Sequence, residues 1–384
     1  MKARTIALAT SSMLAASAAA AEITLLGEAK LGFSGGSGET TQFYQDLDIE
    51  FIFSGQTENG LSFGASVDLS DADTLGNTTG DIGYEVFISG GFGTVTMGDT
   101  DSAFQFAVLG TDAWGSPGSI ADNETTHWGF QDDWLKGSED GQVLRYDYSQ
   151  GDFGFAVSLE MDDASDYALR EQGRDRRDPS WGLGLSYAPR LGDGQLKVGL
   201  GYETAGRGEI GLGLTDLQAE SIADKLSSIG VAPGDALESG LFRYNNSNDR
   251  YELVVDLGDN TTNWGGSIGY EMDNGFSFGG VYTVFDGDQL KSGDYWGLGV
   301  GYTFDKVSLH ANYGEHSFKN TYGEKLDTSG WGLSAGYDLG GGMSVLAGYG
   351  NSEATARGDF NGNGTDNKIG LDGETFSLGL SMTF

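Results

Sequence analysis

Carboxylates dominate the chemistry available between residues 100 and 140. Asp101, Asp112, Asp122, Glu124, Asp132, Asp133, Glu139 and Asp140 stand against one lysine, Lys136, and Asp99 sits at the entrance. Carboxylates in such excess concentrate cations and repel anions. Lining a water-filled passage, they would set its ion preference. The same stretch carries Phe104, Phe106, Trp114, Trp128, Phe130 and Trp134. A segment meant only for water does not need so many rings. They are expected to pack it against a wall while the carboxylates face water.

Other constellations fit their chemistries less well. Gly32-Phe-Ser-Gly-Gly36 and Gly265-Gly-Ser-Ile-Gly269 match the nucleophile-elbow string but lie in strands, not at a strand-to-helix turn. Gly206-Arg-Gly-Glu-Ile-Gly211 matches a dinucleotide fingerprint, but the strand before it alternates and no parallel βαβ pattern surrounds it. Of the three histidines, His127, His310 and His316, the second alternates with Ser308 and Asn312 and is expected to be solvated on a polar face. Asp359, Asn361, Asn363 and Gly364 hold positions 1, 3, 5 and 6 of a calcium loop. Position 12 is Gly370, where a bidentate Glu belongs. A plain polar turn is the expectation there and structural Ca²⁺ the alternative. No cofactor is required, and no catalytic set emerges.

The elements that would position these groups alternate with a period of two. Leu47, Ile49, Phe51 and Phe53 share one face of their segment, and Asp46, Asp48 and Glu50 the other. Phe376, Leu378, Leu380, Met382 and Phe384 oppose Thr375, Ser377, Gly379, Ser381 and Thr383. The polar faces are rich in Gly, Ser, Asp and Glu, with no second apolar sheet to pack on. Strands are expected at 22–34, 43–55, 61–70, 81–89, 93–99, 141–149, 153–161, 179–189, 194–204, 262–272, 276–286, 294–304, 306–316, 328–339, 342–352 and 373–384. Short turns and long loops alternate between them. Tyr251–Leu257 also alternates, and strand parity places it inside the loop 205–261. A short helix is expected there too, from the capping box Thr215-Asp-Leu-Gln218 to Gly230. Trp181-Gly-Leu-Gly-Leu-Ser-Tyr187 recurs in the same spacing from Trp264, Trp296 and Trp331. In each copy Trp and Tyr share a face, as two interfacial girdles require.

Bulk numbers agree. The 384 residues include 65 Gly and no Cys, so disulfides, thiolate catalysis and Cys-ligated metal drop out. A net charge of -36 excludes nucleic acid as a partner. Met1-Lys2-Ala3-Arg4, the apolar run from Ile6 to Ala18 and Ala19-Ala20-Ala21 read as a secretory leader, 1–21. No later run is long and apolar enough for a membrane helix. Residues 22–384 are therefore expected to form one all-β domain, a transmembrane antiparallel up-and-down barrel of about sixteen strands. Its third long loop, 100–140, would fold into the lumen.

Three stretches carry a family likeness: Glu22-Ile-Thr-Leu-Leu-Gly-Glu-Ala-Lys-Leu-Gly32, Ser54-Gly-Gln-Thr-Glu-Asn-Gly-Leu-Ser-Phe-Gly-Ala-Ser66 and Gly90-Gly-Phe-Gly-Thr-Val-Thr-Met-Gly-Asp99. With the terminal Phe384, they resemble the trimeric general porins of Gram-negative outer membranes, most of all those of purple photosynthetic and related α-proteobacteria. The resemblance implies sixteen strands, a homotrimer and a third loop that narrows the pore, its acidic residues facing basic ones on the wall. This chain departs from that pattern. The inward positions of its first four strands offer only Lys30 among cations, beside Asp46, Asp48 and Glu50. Arg145, Lys197 and the run Arg170, Arg174, Arg176 and Arg177 are the other candidates.

The expectation is a non-enzymatic, water-filled channel of the cell outer membrane for small hydrophilic solutes, cation-preferring because its constriction is acidic. Its partners would be outer-membrane lipid and lipopolysaccharide and further copies of itself. A substrate-specific channel and a non-conducting barrel serving as adhesin or structural anchor are the alternatives.

Overall fold

The computed structural model describes residues 22–37, 39–69, 82–131, 134–135, 142–162, 178–211, 214, 216–231, 241–245 and 250–384. The expected leader, 1–21, lies outside them.

The first strands are β1 (Glu22–Gly36), β2 (Glu39–Gln56), β3 (Ser62–Leu69), β4 (Ile82–Gly90) and β5 (Gly93–Gly98), followed by the short helix α1 (Ala103–Ala107). Next come β6 (Val143–Gln150), β7 (Phe153–Glu160), β8 (Ser180–Tyr187), β9 (Arg190–Leu191) and β10 (Gly194–Gly211). Helix α2 (Asp216–Ser228), β11 (Phe242–Asn245) and β12 (Arg250–Met272) follow. The rest are β13 (Phe276–Asp286), β14 (Leu290–Phe304), β15 (Val307–Asn320), β16 (Lys325–Gly340), β17 (Met343–Gly358) and β18 (Asn367–Thr383). The two-residue β9 and four-residue β11 only flank their neighbours. The other sixteen pair antiparallel around a ring that β1 and β18 close, from Glu28 opposite Thr383 to Gly36 opposite Thr375. Closure leaves the sheet no open edge, so spanning backbone N–H and C=O groups can pair across strands, where hydrocarbon offers no partner.

Alternation sorts the faces as expected. Leu25, Leu200, Leu298 and Leu378 point outward and are each more than half exposed. An apolar face of that kind is matched by lipid tails. On the same face Trp181, Trp296 and Trp331 each pack on a neighbouring-strand tyrosine, Tyr202, Tyr313 and Tyr349, with ring centroids 5.2–5.5 Å apart.

The long strands overrun their expected ends. β10 continues to Gly211 and β12 begins at Arg250, so the fifth loop is shorter than 205–261. Tyr251–Leu257 is the outer part of β12 itself, a correction to its reading as a separate strand. A bulge follows that piece: Gly258 and Asn260 are at positive φ, and the register against β10 shifts at Gly208/Glu209. Parity survives because the piece belongs to an existing strand.

Helix α2 covers the outer end of that region. Ile222 and Leu226 are fully buried and belong to the apolar cluster that also holds Leu253, Leu257, Phe285 and Ile369. Lys225 Nζ donates to the Gly370 carbonyl at 2.5 Å. Gly230, at φ 92°, takes the left-handed turn that stops the helix. Thr215 of the expected capping box lies outside the described residues.

Candidate pore wall and third-loop segment

Residues between 103 and 129 contact the sheet face opposite its exposed apolar side, and the glycines on that face allow it. The Ala103 carbonyl presses on Gly184, Ala107 on Gly199, Thr111 on Gly299, Trp114 on Gly301 and Gly129 on Gly314. A Cβ at any of these positions would collide with backbone, which cannot swing aside. Trp114, fully buried, lies flat over Gly269 and Gly279.

Polar side chains then peg the segment. Ser158 and Ser267 Oγ accept from the Ala103 and Leu109 amides, both at 2.9 Å. Asn312 Nδ2 donates to the Thr125 carbonyl at 2.7 Å, and Thr328 Oγ1 to that of Trp128 at 2.8 Å. The repeated Trp-to-Tyr motif supplies much of this track. Its inward positions are Gly182, Gly184 and Ser186; Gly265, Ser267 and Gly269; Gly297, Gly299 and Gly301; and Gly332, Ser334 and Gly336. Sequence reading weighed only the outward rings of that motif. The signal it missed was that every inward position is Gly or Ser, small enough for a second chain to approach.

The expected carboxylates separate into different surroundings. Asp99 is exposed, and Asp112 half-buried. Asp101 is buried, its backbone carbonyl accepting from Arg145 at 2.9 Å. Asp122, at φ 58°, takes a bond from Lys30 Nζ at 2.9 Å. Glu124, expected to face water, is instead fully buried, with its side chain against Gly348 and a hydrogen bond from Ser119 Oγ. The glycines of β16 and β17 leave a slot there that a carboxylate enters with the segment. Asp132 and Asp133 lie outside the described residues, as do Lys136, Glu139, Asp140 and the arginine run 170–177.

Among the described residues, Lys30, Arg145 and Lys197 are each paired. Lys30, 6% exposed, sits between Asp122 and Asp46, the latter at 3.6 Å. Arg145 stacks over the Phe106 ring at 4.9 Å, donates to Thr100 Oγ1 at 3.1 Å and meets Asp147 at 3.3 Å. Lys197 meets Glu271 at 2.6 Å. On β1 to β4 the ladder brings Glu28 opposite Asp48, Glu50 opposite Asp68 and Ser66 opposite Glu85. With Asp46, this makes an acidic inward face. Glu28, Asp68 and Glu85 were absent from the expected wall set, although the same alternation places them there.

All three histidines lie at the seam between segment and wall. His310 is 4% exposed, its Nδ1 3.1 Å from the Trp114 carbonyl. The expectation of a solvated His310 is thus corrected: the segment covers its strand. His316 Nε2 lies 3.1 Å from Gln131 Oε1. On the segment itself, His127 Nδ1 accepts from the Gly129 amide at 3.1 Å, and burial pushes the ring down from 6.5 to about 4. Between those values the released segment binds a proton that the docked segment excludes. Docking is therefore full above about pH 6.5 and weakens as pH falls toward 4, by up to about 3 kcal/mol from this ring. His127→Asn should reduce the acid-induced rise in mobility of a spin label on the segment. An unchanged pH profile would remove His127 from the effect.

The calcium-like loop closes on itself. The Asp359 carboxylate accepts from the Asn363 and Gly364 amides at 3.0 and 2.6 Å, and Asn363 Oδ1 from Thr365 N at 2.9 Å. Asn361 Nδ2 donates to the Ile229 carbonyl at 2.6 Å, tying the loop to the end of α2.

The family model described as Gram-negative porin matches residues 5–357. A porin of Rhodobacter capsulatus is 27% identical over 292 residues, covering 73% of this chain and 89% of that protein. Among solved structures, a refined porin superposes with a TM-score of 0.59 at 20% identity, covering 94% of this chain and 100% of that one. The trimer form of OmpT, an outer membrane protein of Vibrio cholerae, gives 0.58 at 13% identity, covering 95% and 100%. A variant of the Rh. blastica porin gives 0.53 at 16%, covering 94% and 100%. These superpositions bear on the fold.

Proposed function

This chain belongs to the Gram-negative porin family, non-enzymatic channels of the outer membrane, and from that premise we propose a water-filled, cation-preferring diffusion pore for small hydrophilic solutes. The third-loop segment narrows the lumen, as its contacts along the inward glycines support. Cation preference rests on one observation. Lys30 and Arg145 are each held by carboxylates, while Glu28, Asp46, Asp48, Glu50, Asp68 and Glu85 share the inward face of β1 to β4. A low-dielectric wall of one sign focuses its field into the passage and raises the local cation concentration. The pore works as a homotrimer, in keeping with the trimer form of OmpT, and its exposed apolar belt meets lipid and lipopolysaccharide. It requires no cofactor.

A planar bilayer under a salt gradient tests the reading. The zero-current potential should take the sign of cation preference. The variant Asp46→Asn, Asp48→Asn, Glu50→Gln should move it toward zero, by roughly half for three of the six wall carboxylates if they contribute equally. An anion-preferring wild type would overturn the assignment. A silent bilayer would return the non-conducting anchor, and current block saturating with one solute would return the substrate-specific channel.

A further inference from the structure

We propose that Glu203 is a positioning residue that clamps both ends of the third-loop segment to the wall and so holds the passage at one width. The inference rests on the reading that this segment narrows the lumen.

Glu203 lies on the inward face of β10, 3% exposed. Its Oε2 accepts from Ser102 Oγ at 3.1 Å, where the segment begins. Its Oε1 accepts from the Leu135 amide at 2.9 Å, where the described part of the segment ends, and from Asn263 Nδ2 of β12 at 3.1 Å. One carboxylate therefore joins two points far apart in sequence to each other and to two adjacent strands. Ser102 is also the N-cap of α1, its hydroxyl accepting from the Gln105 amide at 3.2 Å. The helix start is thus tied through Ser102 to the carboxylate. Beside the clamp the two ends touch directly. Trp134 packs on Phe104 with centroids 5.1 Å apart and meets Tyr295 edge-on at 5.8 Å.

The chemistry suits a clamp better than a selectivity group. Ser102, Leu135 and Asn263 all donate to it, as the two oxygens of a carboxylate accept, and the residue is shut off from the water that ions traverse. A carboxylate buried among donors satisfies them all, and losing it leaves them unpaired. Closing a long loop costs entropy once. After that, a single group joining its ends stabilises every contact between them.

The test uses the full protein, which has no native cysteine, with one spin label at Gly110→Cys. The label's mobility is read by electron paramagnetic resonance, and the same samples are recorded as single channels. Glu203→Gln should raise the mobile fraction about tenfold, the effect of one lost buried hydrogen bond, and bring brief sublevel closures. Ser102→Ala should give a smaller rise in the same direction, and it carries the test alone if Glu203→Gln does not assemble. The double variant should be no more mobile than Glu203→Gln, since both act through one carboxylate. Glu315→Gln, on the outward face, serves as the control. Equal mobility in Glu203→Gln, Ser102→Ala and the control would overturn the clamp. Increased mobility with unchanged channel traces would keep the clamp but overturn the narrowing role of the segment. A wild type without current would fail the channel reading and leave the resonance result to judge the clamp.

Discussion

Valine in place of Gly314 should drive the third-loop segment off the wall and into the passage, lowering unit conductance by at least about twofold. The Gly129 carbonyl stands where the new Cβ would be, and the Tyr295 ring closes the side at 3.1 Å. Neither can yield cheaply. Gly129 is itself wedged between Gly314 and Gly330, and Tyr295 is fully buried and stacked on His316 at 4.5 Å. Overpacking of this kind costs about 1–3 kcal/mol. The ladder of β15 with β14 and β16 lies in the plane of the sheet and does not need that space, so the barrel should still close. Gly91→Val, in a short turn with open space around it, is the matched control. Unit conductance and the polymer size that blocks it would be measured together. If Gly314→Val left both unchanged, the segment would not be confined as the geometry requires.

Lys30→Met should have the opposite electrical sign from the wall amides of the selectivity test. It removes the cation between Asp46 and Asp122 and frees two carboxylates. The zero-current potential should therefore move further toward cation preference, where neutralised carboxylates move it back. Stability should suffer as well. Removing one partner of a buried pair leaves a charge without compensation, for about 3–5 kcal/mol when both groups are dry. Asp122 retains 21% of its side-chain exposure, so a loss nearer about 2–3 kcal/mol is expected, felt as earlier release of the segment tip on heating. A potential that does not move would place Lys30 outside the ion path. An unchanged heat profile would show that Asp122 is hydrated by other means.

The barrel was legible because its cause is local and repeated. Period-two alternation, outward rings at fixed spacing and a parity requirement are carried by each strand separately. Strand ends were less legible. Parity set Tyr251–Leu257 apart as a loop strand, and only pairing with β10 shows that the ladder runs through a bulge into the strand that follows. Side-chain surroundings were the least legible. Glu124 and Asp122 are two residues apart in one acidic run, yet one is buried under Ser119 and the other bridges to Lys30. His310 alternates as a solvated residue would, and Trp114 covers it.

By itself the sequence determined that this protein is an exported all-β chain with an apolar outside, a polar inside and a strong negative charge. Those properties depend on residue type and period alone. Tertiary structure decided which charges meet water and which are held. Lys30 meets Asp122, and Ser102 and Leu135 meet Glu203, across distances in the chain that no periodicity encodes. Among its described residues, the crowded acidic segment between residues 100 and 140 thus holds both exposed carboxylates and packed ones. Its carboxylates differ because burial and partners are set by where the folded wall leaves room, and glycine on the wall leaves that room.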